Sequence, residues 1–257
     1  MSSKLSGKVA LITGASGEIG AAVAIEFAKE GAAGISLHYN SNRRKALEVA
    51  SSVRALGSEC AVLQADLSTQ SRAKSLVTKT FAKFGRLDVL ACVAGYPFLR
   101  DDWFADFENI TAAQLRNPID VDLLGNAYVA QAAVSGMKRT GGGKIVFIGS
   151  THAITGDTVG ISYLIAKSGI LALTRALAQQ LGPYHIRVNA LALGSVDTKA
   201  TLSHLDSRQK RELAKEAALG RFGTPQEVAR KVVFLSGGDS DFITGQTLIV
   251  DGGSAMM

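Results

Sequence analysis

The chain has 257 residues, of which 47% are apolar, 19% charged and 6% aromatic, and its formal net charge is +6. This length and apolar content predict one large domain or two small ones, with a sizeable core. The basic residues do not cluster with aromatic residues, which argues against nucleic-acid binding. The positive charge favours solubility, with attraction for a phosphorylated or acidic partner as the alternative.

The cysteines and histidines argue against a disulfide framework and a structural metal. Only Cys60 and Cys92 are present, and the 4 histidines are scattered without metal-ligand spacing. No apolar stretch reaches the roughly 18 residues of a membrane span. The first residues run straight into a strand pattern without a cleavable leader. We therefore expect a cytoplasmic protein with no metal and no membrane contact.

Strand and helix patterns alternate along the chain. An apolar run ending in glycine predicts a strand at 8–14, and Ile19, Val23 and Phe27, spaced four apart, predict a helix that ends at Gly31. The alternation continues in order with strand 34–40, helix 44–57, strand 60–66, helix 71–85, strand 87–95, an irregular piece at 96–110, helix 112–138, strand 143–150, helix 161–181, strand 186–194, a polar helical pair at 200–218, a helix from Thr224 and strand 246–253.

This order predicts the fold class. The strands are apolar runs rather than alternating patterns, so both faces of the sheet should be covered by helices. We predict an α/β protein with a doubly wound, Rossmann-type parallel sheet of about seven strands. Residues 1–257 should form a single dinucleotide-binding and catalytic domain.

The stretch "TGASGEIG", Thr13–Gly20, has the pattern of a phosphate-binding loop. It follows a predicted strand and opens a helix, where glycines let the backbone approach a diphosphate and the helix N-terminus attracts negative charge. The alternative is a tight turn without a ligand. Glu18 should repel a diphosphate, and we expect weakened but surviving nucleotide binding. The predicted contacts in this loop are Gly14, Ser16, Gly17, Ile19 and Gly20.

The residues after the second strand favour NADP(H) over NAD(H). A carboxylate there would hold the ribose hydroxyls of NAD, whereas arginine accommodates the 2′-phosphate of NADP. No Asp or Glu occurs between Gly31 and Leu47. The chain instead presents small polar groups and two guanidiniums, at Asn40, Ser41, Arg43 and Arg44, although a solvated basic helix start would look the same.

The end of the third strand should meet the other side of the nucleotide. Asp66, with Leu67 beside it, is placed to contact the adenine amino group. Asp66 could also cap a helix, and the two roles are compatible.

Ser150, Tyr163 and Lys167 form a candidate catalytic set. Tyr163 and Lys167 lie four apart on one helix face, and Ser150 ends a strand on the nucleotide side of the sheet. Carbonyl reduction by hydride requires a proton for the developing alkoxide. An ammonium lowers the pKa of a nearby tyrosine, and a serine hydroxyl can hold the carbonyl oxygen while charge develops.

At these residues the chain resembles the short-chain dehydrogenase/reductase family nearly end to end. The resemblance lies in "TGASGEIG", "AG" at 94–95, the Ser150–Tyr163–Lys167 spacing, "RVNALALG" and "ITGQTLIVDGG". Within the family it is most similar to 3-oxoacyl-ACP and acetoacetyl-CoA reductases, through its length, "RFGTPQEVA" and its ending.

The resemblance implies roles for individual residues. Tyr163 would be the general acid in reduction and the base in oxidation, Lys167 would also hold the nicotinamide ribose, and Ser150 would orient the carbonyl. Ala94 and Gly95 would line the adenosine side of the nucleotide. Val196 and Thr198 would contact the carboxamide. The resemblance also implies a homotetramer formed through the helices at 112–138 and 161–181.

The sequence departs from the family pattern at four places. Glu18 replaces a glycine, "CVAG" at 92–95 replaces Asn-Asn-Ala-Gly, and Leu193 replaces a proline. Asp122 replaces an asparagine that supports a water-linked proton path to the lysine. If ionised, Asp122 would stabilise the Lys167 cation but weaken its effect on Tyr163.

Three functions are compatible with these residues. The first is an NADP(H)-dependent reductase of a ketone, either a 3-oxoacyl thioester or a similar small carbonyl. The second is a dehydrogenase that oxidises a secondary alcohol, sugar or steroid. The third is a weakly active nucleotide sensor or scaffold, motivated by Glu18, "CVAG" and Asp122.

Trp103, Phe104 and Phe107 could form an apolar lid over substrate or pack under a loop, and His152 could line the substrate pocket or lie on a surface loop.

Overall fold

The computed structural model describes residues 3–256, which form one seven-stranded parallel sheet in the order β3-β2-β1-β4-β5-β6-β7. The strands are β1 Val9–Thr13, β2 Gly34–Tyr39, β3 Glu59–Gln64, β4 Val89–Cys92, β5 Gly143–Ser150, β6 Ile186–Leu193 and β7 Thr247–Val250. The predicted doubly wound sheet is confirmed, and all seven strands lie within the predicted ranges to within a residue.

Eleven α-helices connect and cover the strands within the described residues. They are α1 Glu18–Lys29, α2 Arg43–Ala55, α3 Gln70–Phe84, α4 Arg100–Trp103, α5 Ala112–Pro118, α6 Asn126–Arg139, α7 His152–Thr155, α8 Ile161–Leu181, α9 Lys199–Leu202, α10 Ser207–Lys215 and α11 Pro225–Ser236. Helix α11 begins with the predicted capping box, in which Thr224 and Glu227 each accept a hydrogen bond from the other's backbone N–H.

Two apolar layers flank the sheet. One layer contains buried residues of α1, α2 and α11, and the other contains those of α3, α6 and α8. Strands β1, β2 and β4 are buried along their whole length, as predicted, but the edge strands β3 and β7 are partly exposed. An edge strand has a neighbour on one side only, so its cover is incomplete.

The buried face of α2 is formed by small residues rather than by its leucines. Leu47 and Leu56 are exposed, whereas Val49 and Val53 are buried with the small residue Ala50 between them. The small side chains let α2 approach the sheet closely, and the larger leucines are left at the rim.

The predicted long helix at 112–138 contains a π-helical segment at Ile119–Gly125, between α5 and α6. Pro118 ends α5 and supplies no backbone N–H, which disturbs the regular helical hydrogen bonding at this point. Such π-helical turns often occur at functional sites. This one carries Asp122, which is buried.

Helix α8 corrects the expectation that nothing in the chain is long and apolar enough to span a membrane. Residues Ile161–Tyr184 meet that test by length and composition, with a mean hydropathy of 1.3. In the fold, α8 packs on β5 and β6, and its buried apolar residues, among them Ile170 and Leu181, belong to the core, whereas Ile165 is exposed. This packing accounts for the apolar residues on the buried face of the helix.

The active-site crevice begins where β1 pairs with β2 on one side and with β4 on the other. The chain leaves β1 toward one face and β4 toward the other, which opens a crevice at the carboxyl ends of the strands. The phosphate loop, Thr13–Gly20, follows β1 at this point.

Candidate active site

The phosphate loop has the backbone that a diphosphate cradle needs. Gly14 has a left-handed φ of 68°, and a Cβ there would lie 2.8 Å from Ala94 Cα. A Cβ on Gly20 would overlap the Gly14 carbonyl oxygen. Gly17 is the N-cap of α1 and no side chain caps that helix, so its first N–H groups remain available to an anion. The loop therefore fits a dinucleotide.

His38 and Thr13, which were not among the predicted nucleotide contacts, hold this loop in place. The Gly14 N–H donates to His38 Nδ1 at 3.1 Å, and His38 Nε2 lies 3.0 Å from the Ala65 carbonyl oxygen, which requires the Nε2–H tautomer. Burial lowers the pKa of His38, although the Ala65 carbonyl opposes this. The Thr13 hydroxyl accepts hydrogen bonds from the N–H groups of Val93 and Ala94, both at 3.0 Å.

The Thr13 hydrogen bonds connect β1 to "CVAG", the stretch at 92–95 that lacks the asparagines of the family pattern. The hydroxyl joins the ends of β1 and β4, where the family pattern has asparagine side chains. Cys92 itself is buried. No sequence signal distinguishes Thr13 from any other strand-ending threonine.

The residues predicted to contact the adenosine half lie at the ends of β2 and β3. Asn40, Ser41, Arg43 and Arg44 are exposed. Arg44 Nη1 lies 3.5 Å from Glu48 Oε1, so that carboxylate competes for one of the two guanidiniums. Among residues 3–256, no ion pair involves Arg43.

Asp66 and Leu67 follow β3 and differ in their surroundings. Asp66 Oδ1 accepts hydrogen bonds from the Ser68 backbone at 3.1 Å and the Ser68 hydroxyl at 2.7 Å, and these lower the pKa of Asp66. Asp66 therefore forms a local turn and does not take the helix-capping role left open for it, because the N-cap of α3 is Thr69. Leu67 is buried beneath it.

The structure places Ser150, Tyr163 and Lys167 around the end of β5. Ser150 is the last residue of the strand, and its Oγ accepts a hydrogen bond from the His152 N–H at 3.3 Å. Lys167 Nζ donates to the Ile148 carbonyl oxygen at 3.0 Å and lies 5.4 Å from the centre of the Tyr163 ring. The lysine is thus anchored to the strand that carries Ser150.

Asp122 contacts Lys167 directly. Its Oδ1 lies 2.7 Å from Lys167 Nζ, and its Oδ2 accepts a 2.7 Å hydrogen bond from the Tyr96 N–H. Burial alone would lower the pKa of Lys167, but the charges of Asp122 and Tyr163 and the hydrogen bond to Asp122 raise it. A buried ion pair therefore occupies the position of the usual asparagine.

The surroundings of Asp122 fix its orientation. Asn126 Nδ2 donates to the Asp122 carbonyl oxygen at 2.7 Å and to the Ala94 carbonyl oxygen at 3.2 Å. A Cβ on Gly95 would lie 2.9 Å from Asp122 Oδ1. Neither Tyr96 nor Asn126 was predicted, since their roles depend on the π-helical turn and on the approach of β4.

Aromatic rings form one wall beside Tyr163. The Trp103 ring lies 5.2 Å from the Tyr163 ring and 5.6 Å from the Phe98 ring, which stacks on His204 at 3.9 Å. We call Phe98, Trp103 and His204 the aromatic wall. Phe104 and Phe107 are 47% and 75% exposed, so of the three residues considered for a lid only Trp103 reaches the site.

The segment after β6, residues 195–220, lies across the crevice from the phosphate loop, and we call it the substrate segment. Val196 is buried and pairs with Gly223 in a parallel bridge, and Thr198 is the N-cap of α9. Glu18 Oε2 accepts a 2.6 Å hydrogen bond from the Lys199 N–H. Glu18 thus contacts the start of α9.

Within residues 3–256 no cluster of three or more His, Cys, Asp or Glu could hold a metal.

Comparison with known proteins agrees with this geometry. The family model described as enoyl-(acyl carrier protein) reductase matches residues 14–255. The chain is 32% identical to a 7α-hydroxysteroid dehydrogenase of Bacteroides fragilis, covering 96% of this chain and 93% of the relative. It is also 32% identical to a 3-oxoacyl-[acyl-carrier-protein] reductase of Thermotoga maritima, covering 97% and 98%.

A solved structure gives the same result for the whole fold. The short-chain dehydrogenase/reductase from Serratia marcescens superposes with a TM-score of 0.90 at 32% identity, covering 98% of this chain and 100% of that one. The family match, the relatives and the shared fold all extend over nearly the whole chain. The chain belongs to the short-chain dehydrogenase/reductase family and is an oxidoreductase that acts on CH–OH and C=O groups.

Proposed function

We propose that this protein uses NADP(H) to reduce a ketone, a 3-oxoacyl thioester or a similar small carbonyl, to a secondary alcohol. The observation that carries the proposal is the buried Lys167 ammonium beside Tyr163, held by Asp122 and by the strand that ends at Ser150. A permanent cation next to a phenol is the arrangement that general acid–base catalysis by tyrosine needs.

In this proposal Tyr163, Ser150 and Lys167 each have a defined role in the chemical step. The Tyr163 hydroxyl gives its proton to the developing alkoxide, and the Ser150 hydroxyl donates a hydrogen bond to the same oxygen. Lys167 stabilises the phenolate that remains. The nicotinamide, when bound, supplies the hydride. In the reverse direction Tyr163 takes the proton from the alcohol.

The nucleotide would be held by residues on both sides of the crevice. The phosphate loop takes the diphosphate through Gly14, Ser16, Gly17, Ile19 and Gly20. The adenosine half meets Asp66, Leu67, Ala94 and Gly95, and the nicotinamide half meets Tyr163, Lys167, Val196 and Thr198. The 2′-phosphate is assigned to Asn40, Ser41, Arg43 and Arg44, with the larger share to Arg43 because Glu48 competes for Arg44.

Two observations support this class of substrate. The aromatic wall beside Tyr163 offers ring faces and edges rather than charged groups. The family model's description and the Thermotoga maritima relative both name acyl-carrier-protein substrates. The Bacteroides fragilis relative, which acts on a hydroxysteroid, supports the second candidate, oxidation of a secondary alcohol.

The Tyr163→Phe variant tests the mechanism. We expect its kcat with NADPH and a 3-oxoacyl thioester to fall by a factor of about 10² to 10⁴, since the proton donor is removed. The dissociation constant for NADPH, measured by fluorescence titration, should stay close to that of the wild type. Unchanged turnover would contradict the assignment.

A substrate panel assayed in both directions separates reduction of a ketone from oxidation of a steroid or sugar alcohol.

The Arg43→Ala variant tests the nucleotide preference. We expect about tenfold weaker binding of NADPH and unchanged binding of NADH, because one charge-assisted hydrogen bond to the 2′-phosphate is lost. Lys45→Ala is the matched control, since Lys45 is a neighbouring cation already paired with Glu48 at 3.2 Å. Equal loss of both nucleotides in Arg43→Ala would count against the preference.

A further inference from the structure

The contact between Glu18 and Lys199 joins two parts of the crevice that are 181 positions apart in the chain. Glu18 is the first residue of α1, directly after the phosphate loop, and Lys199 is the first residue of α9 in the substrate segment. The bond is short, at 2.6 Å, and pairs a carboxylate with a backbone N–H. Charge-assisted hydrogen bonds of this kind are stronger than neutral ones.

The base of the substrate segment is attached independently of Glu18. Val196 forms a bridge with Gly223, and the Asp197 N–H donates to the Gly223 carbonyl oxygen at 2.8 Å. Beyond Thr198 the segment turns into α9, and there the Glu18 carboxylate provides the hydrogen bond to the phosphate loop. Farther along, His204 stacks on Phe98. Glu18 therefore holds the part of the segment nearest the nucleotide crevice.

The same carboxylate lies at the end of α1 that attracts anions. The first N–H groups of α1 have no side-chain cap, which is the condition under which a helix N-terminus binds phosphate. A diphosphate placed there would repel the Glu18 carboxylate, which is attached to the first turn. Glu18 and a bound diphosphate therefore oppose each other, while Glu18 and the Lys199 N–H attract.

We propose that Glu18 is a positioning residue that holds the substrate segment against the phosphate loop in the nucleotide-free protein, in competition with the nucleotide's diphosphate. This rests on the proposed function for the identity of the ligand, but the Glu18–Lys199 contact itself does not. Nucleotide binding then weakens the hydrogen bond between Glu18 and the Lys199 N–H. A glycine at position 18, as in the family pattern, has no such effect.

Four variants separate the parts of this proposal. Glu18→Gly removes both the acceptor and the charge, whereas Glu18→Gln keeps an oxygen acceptor without the charge. Lys199→Pro deletes the N–H donor at a helix position that accepts proline, after a Thr198 whose φ of −136° and ψ of 157° suit the residue before proline. Lys199→Ala keeps the N–H and controls for loss of the side chain. Glu26→Gln, farther along α1, controls for loss of charge.

The first measurement is amide hydrogen exchange of peptides covering residues 195–206, followed by mass spectrometry on nucleotide-free protein. We expect about tenfold faster exchange in Glu18→Gly and Lys199→Pro, the effect of one lost charge-assisted hydrogen bond. Glu18→Gln, Lys199→Ala and Glu26→Gln should stay within about threefold of the wild type. Wild-type exchange in both Glu18→Gly and Lys199→Pro would overturn the proposal.

The second measurement is the dissociation constant for NADPH. Glu18→Gly and Glu18→Gln should bind about tenfold more tightly than the wild type, since both lose the charge that opposes the diphosphate. A variant that was merely destabilised would bind more weakly, so tighter binding separates a positioning role from a structural one. Unchanged or weaker binding in both variants would also overturn the proposal.

Failure of the proposed function gives a different pattern. If neither the wild type nor any variant binds NADPH or NADH, the nucleotide assignment is wrong. The exchange comparison, which contains no nucleotide, then still decides whether Glu18 holds the substrate segment.

Discussion

Asp122 and Lys167 form an ion pair whose side chains are only 2% and 6% exposed, with 2.7 Å between Oδ1 and Nζ. The pair is held from outside by the Tyr96 N–H on Asp122 and the Ile148 carbonyl on Lys167. Because the carboxylate raises the pKa of Lys167 against the effect of burial, the ammonium persists. Because the pair is nearly neutral as a whole, its field at Tyr163 is weaker than that of a lone ammonium.

The Asp122→Asn variant tests this balance. Asparagine keeps an oxygen that can accept from Lys167 but removes the charge that raises the pKa of Lys167, so burial should lower the pKa of the lysine. We expect the alkaline limb of the pH profile of alcohol oxidation, measured as kcat/KM, to move to lower pH by about one unit, because the lysine then loses its charge at lower pH.

An unchanged profile would contradict this reasoning. If the alkaline limb stays in place or moves to higher pH, Asp122 is not what keeps Lys167 charged. Asp157→Asn is the matched control, since Asp157 is an acidic residue of the same region that lies 3.8 Å from His152 Nδ1.

At the scale of elements, His38 connects the phosphate loop to the end of β3. It accepts from Gly14 and donates to Ala65, and the bond from Gly14 requires the neutral ring because a protonated Nδ1 cannot accept. Burial lowers the pKa of His38 below its ordinary value of 6.5. The unfolded chain therefore binds a proton at a higher pH than the folded protein, and the free energy of unfolding falls as the pH drops below about 6.5.

The His38→Asn variant tests this linkage. We expect the wild type to lose stability between pH 7.5 and 5.5, and the variant to lose less over the same range, when both are unfolded with urea. His185→Asn is the control, because His185 is exposed and its left-handed φ of 57° suits asparagine. An equal pH dependence in wild type and His38→Asn would show that His38 does not carry it.

The continuous helix from α5 to α6 shows how one element sets up the site. The π-helical turn at Ile119–Gly125 changes the register of the backbone, so that the Asp122 carbonyl accepts from the Asn126 side chain. The same turn brings the Asp122 carboxylate to Lys167 on α8. A regular helix would place side chains at different angles, and the ion pair depends on this local irregularity.

At the scale of the molecule, the two long helical elements, α5–α6 and α8, lie on one face of the sheet. The family resemblance implies a homotetramer formed through them, and Ile165 on α8 is 45% exposed. We propose that this face is an interface between copies of the chain.

The Ile165→Glu variant tests the assembly. We expect the wild type to have the mass of a tetramer by light scattering and the variant to be smaller, because the charge would be buried at the interface. Leu47→Glu, at a residue of α2 that is 39% exposed on the other face, should leave the mass unchanged. A monomeric wild type would refute the proposal.

Local sequence patterns specify the order of the elements and indicate the candidate catalytic set. Apolar runs alternate with helical patterns, and both are local signals that depend on neighbouring residues. The glycines of the phosphate loop and the spacing of Tyr163 and Lys167 are local in the same sense. These features were therefore predictable before any strand was paired with another.

The contacts between distant residues depend on the tertiary structure. Glu18 meets Lys199, Thr13 braces the end of β4, His38 supports Gly14, and Asp122 pairs with Lys167. Each contact joins segments that only the sheet order and the helix packing bring together, so no local pattern specifies it. The same reason explains the α2 face, where close packing of small residues, rather than hydrophobicity, decided which side chains are buried.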